Sequence, residues 1–207
     1  VSIYDMCGSG EIYDIAKCDT ENISEFIDNA LILIISPIHS FNFPKISLDF
    51  IRHFPRGNNR VVLMCTRAGM KIGKFITPGL TGIAFMLSSF ILKSKSYKIV
   101  GQIPFDMPSN WLAIHPSLNE KKVKYLHKNN YSKVKKHSDK IFSGQCYFIA
   151  YRDLVQDILI SLIALAYYYI DRFAFAKSFY ALADCDLCGF CIKQCPVKAI
   201  KLVNNHP

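Results

Sequence analysis

Cys185, Cys188, Cys191 and Cys195, with Pro196 directly behind them, form a single run, C-D-L-C-G-F-C-I-K-Q-C-P. Thiols at C-x2-C-x2-C-x3-C-P spacing are suited to iron–sulfur ligation. Three thiolates set three residues apart can wrap one face of an iron–sulfur cube, while the fourth lies one residue further on and points elsewhere. A structural zinc knuckle, or four unliganded thiols, is the competing reading. Zinc sites, however, usually arrive as two separated C-x2-4-C pairs. In two-cluster proteins the fourth cysteine serves the other cluster, yet no second cysteine run follows in the twelve residues after Cys195. Either the chain is cut short at its carboxyl end, or Cys195 bends back to complete one cluster; the first is the expectation. A start at Val1 rather than Met extends the same expectation to the amino end.

The elements that must position such chemistry can be read upstream. Ala30–Ser36 (A-L-I-L-I-I-S) and Arg60–Thr66 (R-V-V-L-M-C-T) are continuous apolar runs, suited to strands buried on both faces of a parallel sheet. Val1–Met6 and Tyr97–Gly101 read as further strands. Glu21–Asn29, Ile46–Phe54 and Gly82–Leu92 read as helices between them. Strands alternating with helices predict βαβ units. In open parallel sheets ligands bind beyond the carboxyl ends of strands. Ser36, Pro37, Ile38, His39, Ser40, Phe41 and Asn42 follow one strand, and Thr66, Arg67, Ala68 and Gly69 follow the next. Small polar groups and backbone amides there suit the edge of a flat isoalloxazine ring, with Phe41 or His39 for stacking; ordinary strand-to-helix turns are the plainer reading. From Gln102 onward, Pro104, Pro108 and Pro116 are expected to punctuate a loop holding D-M-P-S-N-W, 106–111.

A glycine-rich phosphate loop is the missing part. Cys7-Gly8-Ser9-Gly10-Glu11 follows a strand, but Glu11 would put a carboxylate where a phosphate must sit. Only 27 residues separate Gly8 from Ser36, too few for a helix, a strand and a second helix when one parallel crossover takes about a dozen. Val1–Met6 is therefore read as a second strand, with the first strand and the phosphate loop upstream of Val1.

Bulk properties set further bounds. The 207 residues are 51% hydrophobic and 20% charged, a folded composition with room for one average domain and an appendage. Four more cysteines (7, 18, 65 and 146) are scattered without a pairing pattern, which fits a reducing, cytoplasmic compartment. The formal charge is +9, and eight lysines fall between residues 121 and 140. That stretch reads as a solvated helix face with Val123, Tyr125 and Leu126 as its apolar stripe, able to steer an acidic redox partner. No aromatic interleaving or nucleic-acid motif accompanies it, so no nucleic-acid partner is expected. Ile158–Ile170 is apolar for thirteen residues, short of a membrane span. It reads as a buried or interfacial helix, leaving room for peripheral membrane contact through residues 158–180.

The motifs S-P-I-H-S-F (36–41), T-R-A-G (66–69), P-G-L-T-G-I-A (78–84), D-M-P-S-N-W (106–111) and the cysteine run together resemble bacterial fusion proteins that join a flavodoxin-like domain to a two-cluster ferredoxin domain. The resemblance spans nearly the whole chain. It implies an α/β fold: a flavodoxin-like parallel sheet over residues 1–118, a basic and hydrophobic helical linker over 119–180, and half of a bacterial 4Fe–4S ferredoxin-like domain over 181–207. It implies FMN against Ser36–Asn42 and Thr66–Gly69, one 4Fe–4S cluster on Cys185, Cys188 and Cys191, and a second reached by Cys195. The activity implied is electron transfer through 4Fe–4S clusters coupled to flavin, a carrier more than a substrate-specific oxidoreductase. A flavin-dependent reductase fed by its own ferredoxin part, and a non-redox membrane- or protein-docking module, are the alternatives.

Overall fold

The structure, a computed structural model, describes residues 10–17, 29–72, 75–109, 119–171, 174, 181–182, 184–195 and 198–202. The expected strand Val1–Met6 and nearly all of the expected helix at 21–29 lie outside them, as do most of 173–183.

Four strands form a parallel sheet: β1 (Leu31–Pro37), β2 (Arg60–Ala68), β5 (Lys98–Met107) and β6 (Tyr147–Phe148), in the order β1-β2-β5-β6. A two-stranded antiparallel hairpin, β3 (Met70–Ile72) and β4 (Phe75–Thr77), leaves the end of β2. The chain is thus α/β with a four-stranded parallel sheet. The period-2 alternation of each strand sorts its side chains between two cores. Ile34, Val61, Leu63 and Cys65 pack against helices α1 (Lys45–His53) and α2 (Ala84–Ser94), through Leu48, Ile51, Phe85 and Leu92. Val62, Met64, Ile103 and Phe105 face the opposite way, onto helix α3 (Glu120–Phe142) through Ile141.

Two expectations are corrected here. The loop expected from Gln102 is strand as far as Met107, with Asp106 inside β5. Pro104 survives there for a local reason. The carbonyl of Gln102 accepts from the amide of Ile149 on the β6 side, at 3.1 Å. Two residues on, Pro104 turns its missing N–H the same way, where β6 pairs with only Gly101 and Gln102. The lysine-rich helix buries Leu126 as expected, but its stripe otherwise differs from the expected one. Leu126, Asn130, His137, Ser138 and Ile141 face the sheet, Val123 is half-buried and Tyr125 is exposed. α3 and β6 therefore pack onto the sheet. The side chain of Asn119 caps α3, accepting from the amide of Lys122 at 2.9 Å.

His137 sits between the rings of Phe105 and Tyr147, with centroids 5.9 and 5.3 Å away. Its Nδ1 has no hydrogen-bond partner among the described residues. Burial, and then the charges of Lys133, Lys136 and Lys140, push its pKa from 6.5 down to about 4. Between those values the unfolded chain binds more protons than the folded one, so stability falls as pH drops from about 6.5 toward 4. The loss is at most about 3 kcal/mol. Urea unfolding across that window is expected to show this slope in the parent chain and a flatter one in His137→Leu.

Candidate functional site

The carboxyl ends of β1, β2 and β5 lie side by side, with Pro37 opposite Thr66 and Arg67 opposite Asp106. The structure therefore brings the two expected segments, 36–42 and 66–69, to one edge of the sheet, and the loop at 78–83 joins them. The carbonyl of Phe41 accepts from the amide of Ile83 at 3.1 Å. Gly82 has φ +61°, and a Cβ there would stand 2.0 Å from that carbonyl, so only glycine fits. Ser40 and Phe41 themselves have φ of 52° and 62°. Between the paired backbones of His39 and Asn42 they make a tight turn of the type that asks for φ above zero at both central residues. Bulky residues rarely accept that region, and strain of this kind gathers at functional sites.

Many polar groups of these segments are already engaged. The Ser36 hydroxyl meets that of Ser47 at 2.8 Å, tying β1 to α1. The side-chain oxygen of Asn42 accepts from the amide of Phe43 at 2.8 Å. The amides of Ile38, His39, Asn42 and Gly69 donate to carbonyls within the fold. Pro37, His39 and Ala68 are exposed, while Ile38, Ser40, Phe41 and Thr66 are half-buried. Against a flat ring, this edge presents shape and the Phe41 and His39 rings more than amide donors.

Arg67 is the most heavily engaged. Its Nε donates to Asp106 Oδ1 at 2.8 Å, Nη1 to Thr81 Oγ1 at 2.9 Å, and Nη2 meets Asp153 Oδ2 at 2.6 Å. Burial opposes the guanidinium charge, but Asp106 and then Asp153 outweigh it and hold the group above its ordinary pKa. Asp106 Oδ1 also accepts from the amide of Gly79 at 2.9 Å, and Lys133 stands 3.6 Å from Oδ2. Asp157 lies in helix α4 (Leu154–Ala166), which follows a single 3-10 turn, Ala150–Asp153. One Asp157 oxygen accepts from the amides of both Thr81 and Gly82, each at 2.9 Å. Burial raises its pKa in spite of those two amides. Next to this network, burial lifts the Cys65 thiol to about 12, which makes it an inert core residue.

Asp153 and Asp157 are absent from the residues that the sequence nominates, and Asp106 and Thr81 enter there only as members of the motifs at 106–111 and 78–84. A faint signal existed: Asp106 and Asp157 are lone acids inside apolar surroundings, F-D-M and V-Q-D-I-L, where a carboxylate needs a buried partner.

At the other end of the chain, Cys185, Cys188 and Cys191 are exposed and Cys195 is half-buried. Asp186 accepts from the amide of Cys188 at 3.1 Å. Leu187 and Gly189 have φ of 58° and 68°, and Gly189 opens the short helix α5 (Phe190–Gln194) that carries Cys191. The amide of Ala199 donates to Cys195 Sγ at 3.3 Å, a contact that favours negative charge on sulfur. Among the described residues no three ligand-type side chains converge closely enough to hold a metal ion. Drawing thiols together around a metal takes the bond energy the metal supplies. The donor set, the reversing turns and the N–H to sulfur contact suit a cluster in chemistry.

No family model matches the chain, and searches of the curated proteins and of the solved structures returned no similar protein.

Replacing Arg67 with Met removes the counter-charge of Asp106 and Asp153. It is expected to cost about 3–5 kcal/mol in urea unfolding. Asp157→Ala strips the partner from two buried amides and should cost roughly 2–3 kcal/mol, with Asp157→Asn recovering most of it because one amide oxygen still accepts.

Proposed function

We propose that the chain is an electron-transfer protein of the flavodoxin-like and ferredoxin fusion kind, a carrier and not a substrate-specific oxidoreductase. The observation that carries this reading is the cysteine run itself, four thiols at iron–sulfur spacing, three of them exposed, with a proline behind the last. When bound, a 4Fe–4S cluster supplies one-electron chemistry. Cys185, Cys188 and Cys191 would hold one cluster, with Cys195 directed to a second. The Ala199 amide at Cys195 Sγ would stabilise thiolate charge. Lys193 and Lys198, both exposed, would favour the more negative reduced state.

The fold supports the flavodoxin-like part of the reading by its strand order. In the order 2-1-3-4-5 the last three strands run side by side in chain sequence, as β1, β2 and β5 do. On that reading Leu31–Pro37 is the third strand, Arg60–Ala68 the fourth and Lys98–Met107 the fifth. FMN, if held, would rest its ring edge against Ser36–Asn42 and Thr66–Gly69. Phe41 and His39 are the stacking candidates, and Arg67 gives structure more than contact because its three nitrogens are spoken for. The residues described do not include a phosphate cradle, so no step is assigned to the flavin. In the reductase alternative the D-M-P-S-N-W segment and the 78–84 loop would line a substrate pocket, but the Asp106 carboxylate is buried in the ion network. This disfavours the reductase alternative.

Anaerobic reconstitution with iron and sulfide, followed by absorbance and EPR, tests the proposal. Iron, sulfide and a broad visible absorbance that Cys188→Ser or Cys191→Ser removes are expected. Colourless, iron-free, zinc-holding protein would sink it. In the reconstituted protein, Lys193→Glu with Lys198→Glu is expected to lower the midpoint potential by on the order of tens of millivolts. An unmoved potential would remove the lysines from the tuning role.

A further inference from the structure

Helix α4 is amphipathic the wrong way round for a helix on a protein surface. Such helices turn their apolar stripe inward and their charges outward. In α4 the inward side carries Asp157, 5% exposed, with Gln156 reaching the carbonyl of Gly79 at 3.1 Å, and Ser161 and Ala164 following along the same side. The outward side carries Val155, Ile158, Leu159, Leu162 and Ile163, with Leu159 72% and Leu162 78% exposed. One ordered element thus presents a continuous apolar face, and patches of that kind mark interaction sites.

The charges around this face say what it meets. The two acids of the element, Asp153 and Asp157, are both turned into the fold, on Arg67 and on the amides of Thr81 and Gly82. The outward face therefore bears no carboxylate from Tyr151 to Ile170. At one end stand Tyr151 and Arg152, both exposed, and at the other Tyr169, 67% exposed, in the single π-helical turn Tyr167–Asp171. Tyrosines at both ends of an apolar face, with Arg152 beside one of them, are residue types that settle at the boundary between headgroups and acyl chains. The chain carries a formal charge of +9, and among the described residues no helix is long and apolar enough to cross a membrane.

We propose that the outward face of α4 docks in the plane of an anionic lipid bilayer. The acyl boundary takes Val155, Ile158, Leu159, Leu162 and Ile163, while Tyr151, Arg152 and Tyr169 rest at headgroup level. The ion network at Asp153 and Asp157 holds the helix flat against the carboxyl end of the sheet, so the α/β body lies close above the surface. The attraction has two parts: burial of apolar side chains, and the pull of negative headgroups on a cationic protein.

Flotation of the full chain with vesicles of phosphatidylcholine alone, or of equal parts phosphatidylcholine and phosphatidylglycerol, tests this. Binding to the anionic vesicles is expected to be at least about 10-fold tighter than to the neutral ones and to weaken in 1 M salt. Leu159→Asp with Leu162→Asp should reduce it about 100-fold. Both positions are open to solvent, so the variant should unfold at the same temperature as the parent, which separates lost docking from lost folding. A Leu162→Trp variant should shift its emission to the blue on adding the anionic vesicles. Three outcomes would overturn the proposal: no flotation, flotation unaffected by the double substitution, or a concentration-dependent dimer by light scattering that the substitution abolishes without any lipid binding. The last would make a second copy the occupant. Cluster absorbance, read in parallel, keeps the electron-transfer reading separately testable.

Discussion

One buried guanidinium organises the carboxyl end of this sheet. Arg67 sits at the end of β2 and reaches β5 through Asp106, the 78–83 loop through Thr81, and the 3-10 turn before α4 through Asp153. Asp106 in turn receives the amide of Gly79 and the approach of Lys133, and its carbonyl accepts from Asn130 at 2.6 Å. Five separate parts of the chain meet around this one charge. Taking it out of water is costly, and the arrangement holds only because almost every polar atom around it has a partner. A charge so enclosed cannot also greet a ligand. Its value lies in fixing β5, the 78–83 loop and the 3-10 turn relative to the end of β2.

The same network explains why an apolar helix can be displayed outward. α4 has little apolar surface facing the sheet, so hydrophobic burial does not dock it. Asp157 docks it, by capping two amides just ahead of α2, and Asp153 does so through Arg67. Polar anchoring on one side frees the other side to be apolar throughout. The chain then leads from this helix toward the cysteines, so the element carrying the exposed face lies in sequence between the sheet and the proposed redox centre.

Most of the sheet is legible in the residues because its signals are local. Continuous apolar runs at 31–37 and 60–68, each followed by small polar residues, announce buried parallel strands with loops at their carboxyl ends. The loop grouping follows from topology once the strands are known. What escapes is non-local. Pro104 reads as a loop residue until the short reach of β6 shows that its missing N–H faces an unpaired side. The buried stripe of α3 contains Asn130, His137 and Ser138, polar residues that a hydrophobicity pattern assigns to solvent. The acids of the ion network look like surface charges because their partner, Arg67, lies 39 residues from one and 86 from another in the chain. The cysteine run is the opposite case: its spacing speaks without any fold, while the convergence of its thiols depends on a metal that sequence spacing alone does not supply.

The order of the strands has a bearing on how the chain is made. β1, β2, β5 and β6 stand in the sheet in the order in which they are synthesised. Among the described residues, each new strand of this sheet finds its neighbour already at the growing edge, and none of the four is threaded between two others. By the time residue 107 has emerged, three strands and both helices of one face are available to condense. The ionic knot closes last, when Asp153 and Asp157 arrive, so the fold can be assembled first and fastened afterwards.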